Sequence, residues 1–327
     1  MTAIEADLGP ARPRLPDGLF RYVAATSWPH QLALAALTAG VFLLEVVPLE
    51  LQRRVVNDAV KHRQYDAVLL LCAAYAGAVL LQGSIKLALN IYRAWVGERA
   101  KRDLRRFCVA AGEGSRTAGG RGTAVSMVVA EVEPVGNFIG SAVSEPLLQA
   151  GILATVVVYV VHVDILMGAA AIALFVPQMM FVPMMQRAMN RRTGTQVKLL
   201  RQIGGRIVAA DRQAATGDAE AAAGIDRVFR IDMRIFELKF TMNFLMNLCT
   251  HTQIIIALLF GSWRVLQGEL EIGGVVAFIS GISRLTDPWG DLVNYLRDLS
   301  VNEVKFKLIA SGASAPESTV EPVSASA

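Results

Sequence analysis

The chain has 327 residues, of which 54% are hydrophobic and only 18% are charged, and its net charge is +4. A soluble domain of this length carries more charge, so the composition argues against a soluble protein and favours a membrane protein. The basic excess does not indicate nucleic-acid binding, because the basic residues lie between apolar segments, where the positive-inside rule places them.

The chain begins with a polar lead, residues 1–27, whose first part is predicted to be disordered. Leu15–Ser27 carries apolar residues beside Arg21. It is predicted to form a short helix in the inner membrane interface, with an irregular linker as the alternative. About 30 mixed residues precede the first long apolar run, so no secretory signal peptide is predicted.

Six long apolar segments follow within residues 28–308, and each reaches or approaches the roughly 20 residues that a helix needs to cross a bilayer. They are Leu32–Val47, Ala67–Tyr92, Pro146–His162, Ile165–Val182, Phe240–Trp263 and Ile272–Leu296. The sequence therefore predicts an all-α, polytopic membrane protein with six transmembrane helices. Residues 309–327, rich in Ser, Ala and Pro, are predicted to be a disordered tail.

The second and fourth spans are predicted to continue as long cytoplasmic helices. Beyond each span, charges interleave with apolar residues, and no proline occurs between Pro183 and Pro288. A second helix from Ala67 to Cys108 measures roughly 60 Å at 1.5 Å per residue, about twice the thickness of the hydrocarbon core. Gly112–Gly122 and Ala209–Gly224 are predicted to be turns at the tips of these extensions.

The distribution of basic residues predicts the orientation. Three basic residues precede the first span, eight lie between spans two and three, and eleven lie between spans four and five. The intervening loops carry four, none and one, so both termini are predicted to be cytoplasmic and the membrane to be the cytoplasmic (inner) membrane. The first outer loop, with Arg53, Arg54, Lys61 and Arg63, is more basic than the rule prefers.

Polar groups inside the predicted spans are candidates for a solute pathway, because charge in a bilayer is costly unless it serves a function. The candidate pathway residues are Glu45, Asn247, His251, Arg284, Asp287 and Asp291. Interhelical hydrogen bonding that fixes the packing is the alternative reading. Pro177, Pro183 and Pro288 are predicted to kink the fourth and sixth helices.

No chemistry of an enzyme is predicted for this chain. It contains no Gly-x-x-x-x-Gly-Lys-Ser/Thr segment, and Cys72, Cys108 and Cys249 lie far apart without metal-ligand spacing. We therefore expect no catalytic residue, no metal and no cofactor, and we interpret the cysteines as packing residues.

Local motifs along the chain resemble the six-helix transmembrane domain of ABC exporters. The longest is the turn that opens the last predicted span, with Gly268, an acidic residue and Gly273. In chain order the motifs are Glu98-Arg99, Asp103–Arg105, Gly122–Glu133, Glu220–Ile225, Gly261–Ser280 and Arg284–Pro288. One position departs from the family, because Arg234 stands about where an acidic residue is usual. The chain also lacks that family's ATP-binding signatures, such as Leu-Ser-Gly-Gly-Gln.

The resemblance implies a permease subunit that moves a solute by alternating access. Such subunits work as dimers of six-span units, of identical or different chains, and a separately encoded nucleotide-binding ATPase would supply the energy from ATP. The residues that the resemblance places near that ATPase are Thr123, Ser126, Glu131, Asp211 and Glu220.

Two other functions remain open at this point. A gradient-driven carrier on the same fold would use Glu45, Asp287 and Asp291 as proton sites. A membrane receptor or scaffold would use the cytoplasmic hairpins to dock a partner. The sequence does not indicate the substrate or the direction of transport.

Overall fold

The structure is a computed structural model, which describes residues 15–16, 18–61, 65–113, 131–210 and 217–314. These residues are almost entirely helical and contain no strand, so the all-α class is confirmed for them. The helices in chain order are α1 (Leu19–Leu44), α2 (Val46–Lys61), α3 (Tyr65–Glu113), α4 (Val132–Ser141), α5 (Ser144–Val163), α6 (Ile165–Ala210), α7 (Gly217–Leu266), α8 (Ile272–Ser283) and α9 (Thr286–Ser314).

Five helical stretches of the described residues are long and apolar enough to cross a membrane. They are Leu19–Ala59, Tyr65–Ala110, Ser144–Val163, Ile165–Gln196 and Ala223–Leu266. The chain is therefore compatible with an integral membrane protein. The structure supports the first five predicted spans in this sense, and the sixth remains a prediction, because Ile272–Leu296 is divided between α8 and α9.

Not every proline interrupts its helix. α1 begins at Leu19, inside the segment predicted as a separate interface helix, and continues past Pro29. α6 likewise continues past Pro177 and Pro183. Helices in membrane proteins tolerate proline when neighbouring groups satisfy the backbone that it frees.

The described residues form two compact units. The first consists of the residues up to Phe42, of Leu80–Leu148 and of the residues from Asn294 onward, and the second consists of Leu43–Val79 and Gln149–Val293. Because α1, α3, α5 and α9 each contribute to both, the units are not successive stretches of sequence.

The core of the first unit joins α1, α3, α4 and α9. Tyr22 of α1 lies against Phe306 of α9, with ring centroids 5.4 Å apart. Phe138 of α4 stacks on Tyr295 of α9 at 5.5 Å, and the Tyr295 hydroxyl donates a hydrogen bond to the Ala142 carbonyl at 2.6 Å. Aromatic rings of α1 and α4 thus pack against α9 and help to hold it in this unit.

In the same unit α3 and α4 approach each other backbone to backbone. A Cβ on Gly140 would lie 2.4 Å from the Arg93 carbonyl oxygen, and one on Gly136 would lie 2.2 Å from the Lys101 Cγ and 3.2 Å from the Gly97 carbonyl oxygen. Gly136 and Gly140 are four residues apart on α4, the small-xxx-small spacing that allows close helix contact.

The core of the second unit joins α2, α5, α6, α7 and α8. α6 and α7 pack along each other, and α8 packs on both α2 and α7. The buried side chains that form this core are Leu49, Val156, Tyr159, Val160, Met167, Ala171, Phe175, Ala257, Ala277, Phe278, Ile282 and Leu285.

A single residue, Asp164, connects α5 to α6. One carboxylate oxygen accepts a hydrogen bond from the Met167 backbone N–H at 2.8 Å and so caps α6, while the other accepts from the Arg264 guanidinium of α7 at 2.6 Å. Burial favours the protonated acid, but these two donors outweigh it and hold the pKa of Asp164 below its ordinary value.

We expect Gly140→Ala to lower the free energy of unfolding of the detergent-solubilised protein by about 1–3 kcal/mol. The reason is that the Arg93 carbonyl belongs to a helix backbone and cannot move aside. Gly77→Ala is the control, since a Cβ at Gly77 meets nothing within 4 Å. Equal stability of the two variants would contradict the close approach of α3 and α4.

A second prediction concerns acid. Because the folded-state pKa of Asp164 is depressed, its stabilising contribution is complete above the ordinary pKa of an aspartate, about 3.9, and is lost as the pH falls through the folded value. Asp164→Asn keeps a capping oxygen but carries no charge, so its stability should decline less between about pH 5 and pH 2. Asp298→Asn, at an exposed carboxylate, should leave the wild-type pH profile unchanged.

Candidate functional site

Two helix breaks in the second unit follow the same local pattern. α1 ends at Leu44, four residues before Pro48, and α8 ends at Ser283, five residues before Pro288. Proline has no N–H to donate, and its ring clashes with the carbonyl four residues earlier. Each proline is the third residue of the next helix, α2 or α9, where no partner for an N–H is needed. The predicted kink at Pro288 is therefore a full break.

The two breaks are joined by an ion pair. Glu45 is the one residue between α1 and α2, and its carboxylate accepts a hydrogen bond from the Arg284 guanidinium. Side-chain exposure is 15% for Glu45 and 30% for Arg284, so both charges are largely withdrawn from solvent. Such charges are tolerated away from water only when they neutralise each other. The structure thus unites two of the predicted pathway residues, which are 239 positions apart.

A chain of hydrogen bonds holds the start of α9 beside the break. The Thr250 and Thr286 hydroxyl oxygens lie 3.2 Å apart, and Thr250 also donates to the Met246 carbonyl at 3.0 Å. The same carbonyl accepts from the buried Gln178 of α6 at 3.2 Å. Sequence analysis did not select Gln178, although a glutamine in an apolar span is a visible signal.

The other predicted pathway residues lie elsewhere on the second unit. Asn247 and His251 are on the exposed side of α7. Asp287 and Asp291 are exposed on α9, and Asp291 accepts a hydrogen bond from Gln149 at 3.2 Å. The i, i+3, i+7 spacing of Arg284, Asp287 and Asp291 would put all three on one helical face, but Arg284 precedes α9 and does not share that face.

The residues predicted to contact an ATPase are described only in part. Glu131 immediately precedes α4 in the first unit, and its carboxylate lies 3.2 Å from the Lys305 ammonium. Glu220 lies on α7. Thr123, Ser126 and Asp211 lie outside the described residues. Within the part of the chain that the structure covers, no group of three His, Cys, Asp or Glu side chains could hold a metal ion.

No family model matches this sequence, and no curated protein matches it significantly. One glycine of the segment Gly261–Ser280 has a steric reason in this structure. A Cβ on Gly273 would lie 2.2 Å from the Arg53 carbonyl oxygen. The Gly273 N–H donates to Asn57 at 2.8 Å, and Asn57 in turn donates to Glu271. Only glycine lets α8 begin this close to α2.

We expect the Glu45–Arg284 pair to show strong coupling in a double-mutant cycle. Glu45→Gln and Arg284→Gln each leave one charge without its partner, so each should lower the free energy of unfolding by about 1–3 kcal/mol. The double variant should lose less than the sum of the two. Glu303→Gln and Lys307→Gln, at an exposed ion pair on α9, should add within about 0.5 kcal/mol. Additive effects at Glu45 and Arg284 would contradict the pairing.

Proposed function

We propose that this chain is the membrane-spanning permease subunit of an ABC-type exporter and works with an ATPase subunit. The observation that carries the proposal is the length of three helices. α3 has 49 residues, α6 has 46 and α7 has 50. At 1.5 Å per residue they measure roughly 70–75 Å, more than twice the hydrocarbon thickness of a bilayer.

Such helices suit a protein that carries movement between a soluble partner and a membrane. A rigid helix passes a displacement at one end to the other, whereas a short span joined by loops does not. On this proposal the parts of α3, α6 and α7 outside the bilayer reach into the cytoplasm, as do both termini, and the membrane is the cytoplasmic membrane. A sixth span is formed by α8 together with α9.

The paired breaks fit the alternating access of such an exporter. A helix interrupted before a proline lacks a backbone hydrogen bond at that place, so it bends there more easily than elsewhere. On this proposal Glu45 and Arg284 border the solute pathway and hold the two breaks together in one of the two states. Two six-span units assemble around the pathway, so the functional assembly is a dimer.

Site-directed cross-linking in native membranes tests the proposal. A reagent attached to Thr123→Cys or Asp211→Cys, in a chain whose native cysteines are replaced by serine, should capture a protein that carries a Gly-x-x-x-x-Gly-Lys-Ser/Thr nucleotide site. Glu269→Cys, placed in the short turn between α7 and α8, is the matched control and should capture no such protein. Capture from all three positions, or from none, would contradict the proposed coupling.

Reconstitution of the captured complex then distinguishes the remaining functions. An ATP-driven exporter should transport only with hydrolysable ATP. Transport that continues without ATP and stops with an uncoupler would instead identify a gradient-driven carrier. A complex that moves no solute, and that still binds its partner when Glu45→Gln or Arg284→Gln is introduced, would identify a scaffold or receptor.

A further inference from the structure

An open groove of about 390 Å³ lies in the second unit, beside the break at Glu45. It is almost wholly apolar, and its volume is within the range of small-molecule sites. Leu43 and Val158 are exposed by 61% and 68% on its walls. The residues that line it are Leu43, Val46, Ala154, Thr155, Val158, Tyr159 and His162.

One end of this groove adjoins a basic cluster built around Glu50. The Glu50 carboxylate accepts two hydrogen bonds from Arg53, at 2.8 and 2.9 Å, and one from Arg54 at 2.8 Å. It accepts a fourth from the Tyr159 hydroxyl at 3.1 Å, and Tyr159 also lines the groove. Four hydrogen bonds occupy the acceptor sites of one carboxylate.

Two guanidinium groups face the Glu50 carboxylate, and the nearby Glu271 carboxylate further offsets the charge of Arg53, so Arg54 carries the charge that is least compensated. Arg53 binds Glu50 in bidentate fashion, whereas Arg54 gives Glu50 only its Nε and has a side chain that is 61% exposed. The remaining N–H groups of Arg54 are therefore available to an anion in the geometry that guanidinium offers to phosphate.

The groove and the cluster follow each other along the same helices. Val46 and Glu50 are four residues apart on one face of α2, and Arg53 and Arg54 come one turn further. On α5, Thr155, Tyr159 and His162 repeat at the same helical spacing. The apolar groove thus adjoins the basic cluster through Tyr159, which belongs to both.

We propose that this site binds an anionic phospholipid, with an acyl chain in the groove and the phosphate on Arg54. Only an amphiphile satisfies both parts, since a soluble anion would leave the groove empty and a hydrocarbon would leave the cation unmatched. Both walls belong to helices long and apolar enough to cross a membrane, so the amphiphile that they meet is a bilayer lipid. The site also gives a role to Arg53 and Arg54, which lie on α2 just beyond the first predicted span, where the positive-inside rule does not predict basic residues. It does not depend on the exporter proposal.

Lipid retention by the purified full-length protein tests the site. The delipidated protein is incubated with equal amounts of phosphatidylglycerol and phosphatidylcholine of matched chains, and the retained lipids are quantified by native mass spectrometry. The wild type should retain phosphatidylglycerol about fivefold better, the preference that one basic residue near a membrane surface supplies. Arg54→Gln should bring the ratio close to one, whereas Lys307→Gln, at an exposed position of α9, should leave it unchanged.

A second variant tests the groove separately from the charge. Val158→Trp fills the groove, so it should lower the retention of both lipids by a similar factor, and Val304→Trp, at another exposed position, should not. Leu43→Ser removes apolar lining without adding volume and serves the same purpose if the tryptophan variant does not fold. Soluble glycerol phosphate should not displace the lipid, since it has no chain for the groove.

Three results would overturn the proposal. The first is equal retention of the two lipids by the wild type. The second is an unchanged preference in a folded Arg54→Gln variant. The third is efficient disulfide formation between two copies of Val158→Cys in native membranes, which would assign the groove to an interface between protomers.

Discussion

The ion pair between Glu45 and Arg284 neutralises two charged side chains that are largely withdrawn from solvent. It forms where the two helix breaks of the second unit meet. Continuous helix satisfies its own backbone, and in a membrane that is the condition for a stable segment. Pro48 and Pro288 break this condition twice, and each break carries a charged side chain. Because the two charges are opposite and form an ion pair, the missing backbone hydrogen bonds and the charged groups lie together at one place. The helices α2, α5, α6, α7 and α8 pack around an apolar core.

In the first unit, glycine residues allow α3 and α4 to approach each other closely. Glycines on both helices bring the backbones together, and the stacked pair Phe138–Tyr295 packs α4 against α9. The Gly136-x-x-x-Gly140 spacing is visible in the sequence, and its recognition would have predicted this contact. The partner carbonyl of Arg93 could not have been predicted, because it depends on the rotation of α3.

The sequence predicted the properties of single helices, such as their length and apolar character, but it did not predict which residues of different helices are in contact. Five of the six predicted spans coincide with helices long and apolar enough to cross a membrane, since length and composition are local properties. Glu45 and Arg284 were selected as costly charges, but no pattern joins residues 239 positions apart. The break at Glu45 was missed because Pro48 lies just beyond the predicted end of the first span. Asn247 and His251 were selected as polar groups inside the fifth predicted span, whereas Thr250 of the same span makes the contact with α9.

The single-residue connection between α5 and α6 has a consequence for biogenesis. If both helices cross a bilayer, a connection of one residue leaves no room for a loop, so α5 and α6 form a hairpin with the Asp164 carboxylate at its tip. Arg264 follows 100 residues later, so it has not yet been synthesised when the hairpin forms. During synthesis the tip is therefore held only by its own helix cap, and the ion pair closes after α7 has arrived. The order of translation thus separates insertion of this hairpin from its final attachment.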